Sequence, residues 1–592
     1  MCGIAASLGF LNDAKRLNLE LLNHRGPDSS GEWQSHGKKI WFGHTRLSIL
    51  DLSPAGHQPM VDPSTGNCIV FNGEIYNHLE LRAELNVKEW RGGSDTETLL
   101  VAYRFWGLSM IEKLRGMFAF LIYDSQKKQL VVARDRLGIK PLYYSKAGDE
   151  INFSSEIRLL LNEKNRSITK ESFSAYLQYG ACPESSLLID GIYSFPASHY
   201  AIVSDSGEFS LIEYWKKKVV TLKQDTPSQN VRRLLEDSVK EHLLSDVPVA
   251  SFLSGGVDSS VITALAARAS AKKIQTFSVG FKQKKYDETK IAQMVADRYG
   301  TNHIEIVLED NEIIGCVQQS VEKMDLPSSD AINTFIVSHY VSKAGIKVAL
   351  SGLGSDELFG GYKIFKEIPR LKYLNVFPDV FKRLFLFFGK TGQRLSEIPN
   401  GSVEEIAFWR RRLWTNRMLL SLGLPLKNVN FDIHPEFEDN FSKVSWSELS
   451  GYMRHMLLRD SDQMSMANSL ELRVPFLDHR LVSYVLGLPE CEKNKFKFSK
   501  GLLIDAFKDL LPKEVYDRPK MGFELPMKEW MNGPLRDFTR EGLDSVVEHS
   551  LLDQSGISSL MQDFERNKLH WNRIWSLVVA GHYIKKNKLV LN

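Results

Sequence analysis

The spacing of apolar and polar residues changes character along the chain. Up to about residue 205, short β-rich or alternating runs such as KKIWFGHTRLSIL, MFAFLIYD and QLVVARD are separated by Gly, Pro and Asp turns, with helical patches near 79–87 and 95–107. From about 225, an amphipathic helical run leads to a buried strand (PVASFL), a glycine loop, a second helical run and another strand (IQTFSVGF). Beyond about 360 the pattern is mostly helical.

These patterns predict two domains joined by a linker. Residues 1–205 are expected to form an α+β domain of layered antiparallel strands. Residues 229–592 are expected to form an α/β domain on a parallel sheet, with a helical extension. The polar, turn-rich stretch between them places the linker at 206–228.

Composition narrows the class of protein. The 592 residues are 43% hydrophobic and 25% charged, and the 75 Lys and Arg nearly balance the 72 Asp and Glu with no run of like charge. Neither a nucleic acid nor a membrane surface is therefore an expected partner. The five cysteines form no CxxC pair, and the N-terminus lacks a long apolar segment. We expect a cytoplasmic protein that acts on small molecules and has no disulfide framework.

The second residue carries the first candidate chemistry. Removal of the initiator Met would leave Cys2 with a free α-amino group beside its thiol. An α-amine has a pKa of about 7.7 to 8.0 and a thiol about 8.5, so the amine can act as the base for its own nucleophile. A lone Cys near a terminus is more often a small buried hydrophobe, so a catalytic role for Cys2 depends on the other motifs of the domain.

Five further motifs accompany MCGI in the first domain. They are HRGPD (His24–Asp28), HTRLSILD (His44–Asp51), FNGEIYN (Phe71–Asn77), GSDTE (Gly93–Glu97) and RDRLGIKPLYY (Arg134–Tyr144). Together they resemble the glutaminase domain of the class II, N-terminal-cysteine glutamine amidotransferases. The resemblance implies an αββα fold of the N-terminal-nucleophile hydrolase type, with glutamine as substrate and Cys2 as nucleophile.

The same resemblance assigns roles to five more residues of the first domain. Asn72 and the backbone N–H of Gly73 match the donors to the oxyanion that develops during acyl transfer. Arg46 suits the α-carboxylate of glutamine as a two-pronged donor. Glu74 and Asp95, with Asn72, complete the expected glutamine site.

A second candidate site follows the strand PVASFL. The loop Ser254-Gly255-Gly256-Val257-Asp258-Ser259-Ser260 lies directly between this strand and a helix. Glycines let the backbone close around an anion, and a helix N-terminus offers unpaired N–H groups and a favourable dipole. The spacing is not that of a Walker loop. It resembles the PP-loop of ATP pyrophosphatases, which implies an adenine nucleotide α-hydrolase-like fold and release of AMP and pyrophosphate.

A second loop, LGSDELFGGY (Leu353–Tyr362), follows the strand IKVALSG and should face the same crevice. Asp258 and Asp356 are then the natural ligands for a Mg²⁺ that screens ATP phosphates. By resemblance, Leu253, Val279, Ser351 and Gly352 border the adenosine, and Lys520 of RPKMGF lies over the reacting phosphate. Both halves together resemble the glutamine-hydrolysing asparagine synthetases, up to about Phe523. No motif is apparent in the last seventy or so residues.

The sequence departs from that family where the acceptor would bind. Asparagine synthetases carry a Glu where this chain has Leu353, and they hold the aspartate α-carboxylate with a cation that the segment 324–342 lacks. Ser328, Ser329, Asp330, Asn333 and Thr334 stand there instead.

Three interpretations remain open. Aspartate is the acceptor expected from the family; a different small carboxylate, such as a uronic acid in polysaccharide or O-antigen assembly, is the alternative. A non-catalytic sensor of glutamine or nucleotide on the same fold is the third, which the intact Cys2, Asn72, Asp258 and Asp356 disfavour. Oligomeric state is not readable, and a homodimer is left open.

Overall fold

The computed structural model describes most of the chain. The described ranges are 2–10, 12–148, 150–161, 166–204, 207–215, 225–281, 289–376, 382–387, 389–433, 437–495, 498–518 and 525–592. Within them, no helix is long and apolar enough to cross a membrane.

The N-terminal half is a sandwich of two six-stranded antiparallel sheets. The first sheet contains, in spatial order, β11 (Ile192–Ser194), β8 (Tyr143–Ala147), β9 (Glu150–Ser154), β1 (Gly3–Gly9), β3 (Ile40–Arg46) and β2 (Ser29–Gln34). The second contains β13 (Phe209–Glu213), β12 (His199–Ser204), β7 (Gln129–Arg134), β6 (Gly116–Asp124), β5 (Cys68–Ile75) and β4 (Met60–Val61). Apolar side chains from both sheets, such as Phe42 and Leu121, form one core between them.

Helices cover the outer face of the second sheet. α1 (His78–Leu85) and α2 (Asp95–Trp106) pack their apolar sides against Phe71 and Ile75 of β5, and α3 (Met110–Lys113) follows. Short 3₁₀ turns at Leu19–Leu22 and Ile157–Leu159 lie over the first sheet. The expected α+β fold with a double β-layer is confirmed.

The linker begins later than the sequence pattern predicts. Strand β13 lies inside the expected linker 206–228, yet it pairs with β12 from His199↔Glu213 to Val203↔Phe209. Gly207, with a φ of 83°, allows the turn that joins the two strands. The first domain therefore extends at least to Glu213, and the second begins by α5 (Pro227–His242), whose N-cap is Thr226.

The C-terminal half is built on a five-stranded, all-parallel sheet. Its spatial order is β16 (Asn302–Leu308), β15 (Gln275–Phe281), β14 (Val249–Phe252), β17 (Val348–Leu350) and β18 (Glu471–Arg473). The helices that connect and flank these strands are α6 (Val257–Ala269), α7 (Thr289–Tyr299), α8 (Asp310–Lys323), α9 (Ile332–Lys343) and α10 (Ser355–Phe359). The expected parallel sheet is confirmed, and its strand ends place the PP-loop beside the loop after β17.

The helical extension surrounds this sheet. Its helices are α11 (Ile364–Leu371), α12 (Gly389–Leu395), α13 (Val403–Arg410), α14 (Asn416–Ser421), α15 (Asn440–Ser447), α16 (Arg459–Met466), α17 (His479–Gly487), α18 (Glu490–Asn494), α19 (Gly501–Phe507), α20 (Lys513–Tyr516), α21 (Met527–Asn532), α22 (Arg536–Glu548), α23 (Gln554–Glu565) and α24 (Trp571–Asn587). A π-helical segment, Glu448–Leu458, joins α15 to α16 in one continuous run. Wide turns of this kind often mark functional sites.

The end of the chain returns to the first half. β19 (Val590–Leu591) pairs in parallel with β10 (Ser167–Ile168), just before α4 (Lys170–Tyr179). The Tyr176 hydroxyl of α4 donates to the backbone carbonyl of Ser576 in α24 at 2.8 Å, and both elements share one buried core. The C-terminal residues, which carry no motif, thus hold the two halves together.

Candidate active sites

Cys2 lies immediately before β1, buried at the edge of a pocket. Its backbone N–H donates to Oδ1 of Asn72 on β5 at 3.0 Å, and its carbonyl accepts from Nε of Arg25 at 3.1 Å. Burial raises the pKa of the Cys2 thiol, and the positive charges of the chain N-terminus and Arg46 oppose this only in part. A thiol in this position needs a nearby base to become a nucleophile.

Asn72 presents an unused donor beside the cysteine. Because Oδ1 faces the Cys2 N–H, the amide NH₂ points the other way, and Nδ2 is buried without a hydrogen-bond partner among the described residues. Buried donors are rarely left unsatisfied in folded proteins. An oxyanion formed next to Cys2 would satisfy this one.

Gly73 allows the pocket to form. A Cβ at this position would lie 2.1 Å from the Met117 carbonyl oxygen of the neighbouring strand β6. Only glycine therefore lets β5 pair with β6 here, and Gly73 lines the pocket with Cys2, Arg46, Glu74 and Asp95. The structure thus brings together all the residues that the sequence assigned to glutamine.

Arg46 is held at the rim of this pocket. Its guanidinium donates to the carbonyls of Ser53 at 3.1 Å, Leu50 at 3.3 Å and Asp51. The side chain crosses over Gly56, where a Cβ would lie 2.0 Å from Nη2. The loop after β3 therefore fixes the direction in which the guanidinium faces.

Two carboxylates lie on the opposite side. Glu74 Oε2 accepts from Nη2 of Arg473 at 2.8 Å, while its buried Oε1 has no partner among the described residues. Asp95 Oδ2 accepts from the Ile75 N–H at 2.9 Å, and burial raises the pKa of Asp95 to about 6. Burial also raises the pKa of Glu74, despite Arg473. An ammonium group between Glu74 and Asp95 would stabilise the charged form of both carboxylates.

The second domain contributes to this first pocket, which the sequence motifs do not reveal. Glu471 of β18 lines it, and Arg473 of the same strand donates to Glu471 Oε1 at 2.6 Å and to Glu74. The carbonyl of Arg473 accepts from the Ser351 N–H at 2.9 Å, in the loop after β17. One arginine therefore contacts both the glutamine pocket and the nucleotide loop.

The PP-loop folds as a closed turn between β14 and α6. Ser259 Oγ contacts Ser254 Oγ at 3.1 Å and donates to the Gly256 carbonyl at 3.2 Å. Gly255 has a φ of 78°, which favours glycine. The loop after β17 touches it closely, since a Cβ at Gly352 would lie 2.8 Å from the Asp258 Cβ.

The remaining residues expected near the nucleotide lie at the same edge of the sheet. Leu253 follows β14, and its N–H donates to the Phe277 carbonyl of β15 at 2.8 Å. Val279 lies farther along β15, and Ser351 directly follows β17. The geometry is that of a shared crevice at the carboxyl ends of β14, β15 and β17.

Lys500 bridges the two aspartates proposed as metal ligands. Its Nζ lies 2.6 Å from Asp258 Oδ2 and 2.6 Å from Asp356 Oδ1, and Ser355 Oγ donates to Asp258 Oδ1 at 2.6 Å. The paired carboxylates thus already hold a cation. No cluster of three His, Cys, Asp or Glu side chains suited to a metal occurs in the described part of the chain. Two carboxylates suffice when ATP phosphates supply the other ligands of Mg²⁺, so the pair fits that ion.

The sequence pattern gave no sign of Lys500. It has a φ of 57° directly before α19, a rare conformation that the sequence does not predict.

Lys520, the lysine expected over the reacting phosphate, lies outside the described residues. Arg518, two positions before it, is described, and its Nη2 donates to the Gly255 carbonyl at 3.0 Å. Arg518 therefore contacts the PP-loop.

Comparison with known proteins identifies the family to which each half of the chain is similar. The asparagine synthase family model matches residues 230–585, and the glutamine amidotransferase domain model matches residues 1–215. Glutamine-hydrolyzing asparagine synthetase 1 of Bacillus subtilis (strain 168) is 35% identical over 590 residues, covering 95% of this chain and 92% of that protein. Asparagine synthetase 3 of the same organism is 30% identical, covering 95% and 93%. Amidase chry2 of Gibberella zeae is 29% identical, covering 90% of each chain.

Proposed function

Because this chain belongs to the glutamine-hydrolysing asparagine synthetase family and is an ATP-dependent ligase of that type, we propose the following roles for its residues. Cys2, freed from Met1, attacks the side-chain amide carbon of glutamine after its α-amine removes the thiol proton. Nδ2 of Asn72 and the N–H of Gly73 stabilise the oxyanion, ammonia leaves, and water hydrolyses the thioester to glutamate. The unpartnered Nδ2 of Asn72 beside Cys2 is the observation that carries this proposal.

Glutamine is proposed to lie with its α-carboxylate towards Arg46 and its α-ammonium between Glu74 and Asp95. The unpartnered Oε1 of Glu74 supports this orientation. The raised pKa values of both carboxyls also support it, because an ammonium would stabilise their charged forms.

At the second site, we propose that the acceptor carboxylate displaces pyrophosphate from the α-phosphorus of ATP. The PP-loop, with Ser254, Gly255, Gly256 and Ser259, would hold the phosphates, while Leu253, Val279, Ser351 and Gly352 border the adenosine. Ammonia then attacks the acyl carbon and AMP leaves. Bound Mg²⁺ would screen phosphate charge, held by Asp258 and Asp356. We propose that Lys500, whose Nζ lies between these aspartates, pairs with the departing phosphates.

Aspartate is the acceptor supported by the names of the relatives in Bacillus. The cation expected near its α-carboxylate is absent from 324–342, and Arg411, which lines a pocket with Ser329 and Asp330, makes a two-pronged ion pair with Glu448. Leu353 packs instead among apolar side chains. On these two contacts we keep a second candidate acceptor, a non-aspartate carboxylate such as a sugar uronic acid.

Reciprocal substitutions test the proposed reaction. Cys2→Ala should lose glutamine hydrolysis but keep ammonia-dependent AMP release, whereas Asp258→Asn should do the reverse, because each change removes one site only. Both activities are measured on the full chain with a panel of carboxylic acids. Parental glutamine hydrolysis by Cys2→Ala, or parental AMP release by Asp258→Asn, would refute the corresponding half.

A further inference from the structure

A large pocket opens beside the segment expected to receive the acceptor. It has a volume of about 650 Å³, and Ser329 and Asp330 line one side of it. The other walls are Tyr362 before α11, the turn Arg410–Leu413 after α13, the π-helical segment and the first turn of α24. A pocket of this size suits a ligand well above the size of a free amino acid.

The pocket is strongly basic. Six basic side chains line it against two acidic ones; the basic residues are Lys363, Arg394, Arg410, Arg411, Arg412 and Arg573, and the acidic ones are Asp330 and Glu367. Two of the arginines are neutralised: Arg411 by Glu448 and Arg410 by Glu367 at 2.8 Å. For Arg394, Arg412 and Arg573, no ion pair with a carboxylate occurs within the part of the chain described.

Neutral acceptors hold these three arginines: backbone carbonyls for Arg394 and Arg573, and the Oδ1 of Asn416 for Arg412, whose Nη1 donates to it at 2.8 Å. Arg394 donates to the carbonyls of Arg410 at 2.7 Å and Arg412 at 3.0 Å, and Arg573 Nε donates to that of Leu413 at 2.8 Å. The Nε of Arg412 is buried and has no partner among the described residues. Burial and the charges of Arg410 and Arg573 lower the pKa of Arg394 to about 10. A bound anion would relieve this repulsion.

The pocket meets one of the nucleotide loops at Tyr362. This residue ends the loop Leu353–Tyr362, which also carries Asp356, and its hydroxyl donates to Glu357 Oε1 at 2.7 Å. A ligand that reaches Tyr362 would lie beside the loop that carries Asp356, while the rest of the same molecule lies among the arginines. The rings of Tyr452 and Trp571, which also line the pocket, offer flat surfaces for stacking.

Resting on the proposed amidotransfer, we propose that the acceptor is a sugar acid that carries a phosphate or diphosphate group, bound through Arg394, Arg412 and Arg573. Guanidinium groups match the geometry of phosphate oxygens, and charge-assisted bonds of this kind are the stronger ones. The hydroxyl of Ser329 and the carboxylate of Asp330 suit the hydroxyls of a sugar. Free aspartate lacks the phosphate group that these arginines would bind.

Calorimetric binding to the full chain tests this proposal. The ATP site is first saturated with Mg²⁺ and α,β-methylene-ATP, so that the probe cannot enter it. The probe is UDP-glucuronic acid, compared with glucuronic acid, which lacks the diphosphate, and with aspartate. Arg394→Gln and Arg573→Gln are each expected to weaken binding of UDP-glucuronic acid by about tenfold or more, a loss of about 1.4 kcal/mol. Binding of glucuronic acid should be unaffected.

A matched control and two conservative variants distinguish a loss of binding from a loss of folding. Arg417→Gln changes an exposed arginine close to the same turn and outside the pocket, and should bind like the parent. Arg394→Lys and Arg573→Lys keep the charge and should retain part of the affinity. Absence of saturable binding by UDP-glucuronic acid, or binding unchanged in both glutamine variants, overturns the proposal.

Ammonia-dependent AMP release separates this proposal from the function on which it rests. AMP release with aspartate, together with no binding of UDP-glucuronic acid, would refute the phosphate-bearing acceptor and leave the proposed reaction intact. If no acid releases AMP while glutamine is still hydrolysed, the proposed reaction fails; arginine-dependent binding would then still support the anion site.

Discussion

The role of Asn72 can be tested one atom at a time. Its Oδ1 accepts from the Cys2 N–H at 3.0 Å, and its Nδ2 is the unpartnered donor. Asn72→Asp keeps an oxygen acceptor towards Cys2 but removes the donor. Loss of one such donor typically lowers kcat by about 10²- to 10³-fold, or about 2.7–4 kcal/mol. We expect glutaminase kcat to fall by about that factor or more, because the new charge also opposes the oxyanion.

The assay measures glutamate release at saturating glutamine. Asn72→Ala should be at least as slow, since it loses the contact with Cys2 as well as the donor. Ammonia-dependent AMP release serves as the control, and it should stay within about twofold of the parent because Asn72 belongs to the first site alone. A glutaminase kcat for Asn72→Asp within about fivefold of the parent would refute the oxyanion assignment.

Other predictions address the remaining contacts. Lys500→Met should lower AMP release by more than about tenfold and spare glutaminase, because two carboxylates lose their shared cation; equal AMP release would refute a role at the phosphates. Asp95 has a pKa raised to about 6, so the KM for glutamine should rise as the pH falls below that value and the carboxylate is protonated; the same KM at pH 5 and pH 7 would contradict its pairing with the ammonium. Leu353→Glu alone should not give tight aspartate binding, since the segment 324–342 still offers no Lys or Arg to the α-carboxylate; a micromolar KM for aspartate in the parent would overturn that reasoning. Arg473→Met should raise the KM for glutamine and lower stability by about 3–5 kcal/mol, because it removes the buried guanidinium that pairs with both Glu74 and Glu471; a chemical denaturation curve that matches the parent would refute it.

The residues proposed for the two sites come from short, local patterns. The FNGEIYN run places Asn72, Gly73 and Glu74 on one strand, and the SGGVDSS loop lies between a strand and a helix. The secondary structure around both patterns could therefore be predicted from neighbouring residues alone. Lys500 and Arg473 could not be predicted because Asp258 lies 242 positions from Lys500 and Glu74 lies 399 positions from Arg473 along the chain. Nothing in the letters around a lysine shows that it will meet Asp258 and Asp356 in the fold.

The arginine-lined pocket was beyond sequence reasoning for a related reason. Its charges come from separate segments around Arg394, Arg410 and Arg573, none of which forms a motif. Arg573 belongs to a C-terminal helix whose sequence predicts a helix but contains no motif that indicates a function. The first domain was predicted to end at 205, before strand β13, for another reason. The turn residues around Gly207 are typical of a linker and also of a hairpin, and the chain forms the hairpin.

The pairing of β19 with β10 closes a core to which distant parts of the chain contribute. Asn592 donates to the Ile168 carbonyl at 2.9 Å, and Phe173 and Tyr176 of α4 lie in the same buried core as Trp575 and Leu577 of α24. A chain shortened to end before Trp571 would expose these apolar side chains to water, and exposed apolar surface of this kind promotes aggregation.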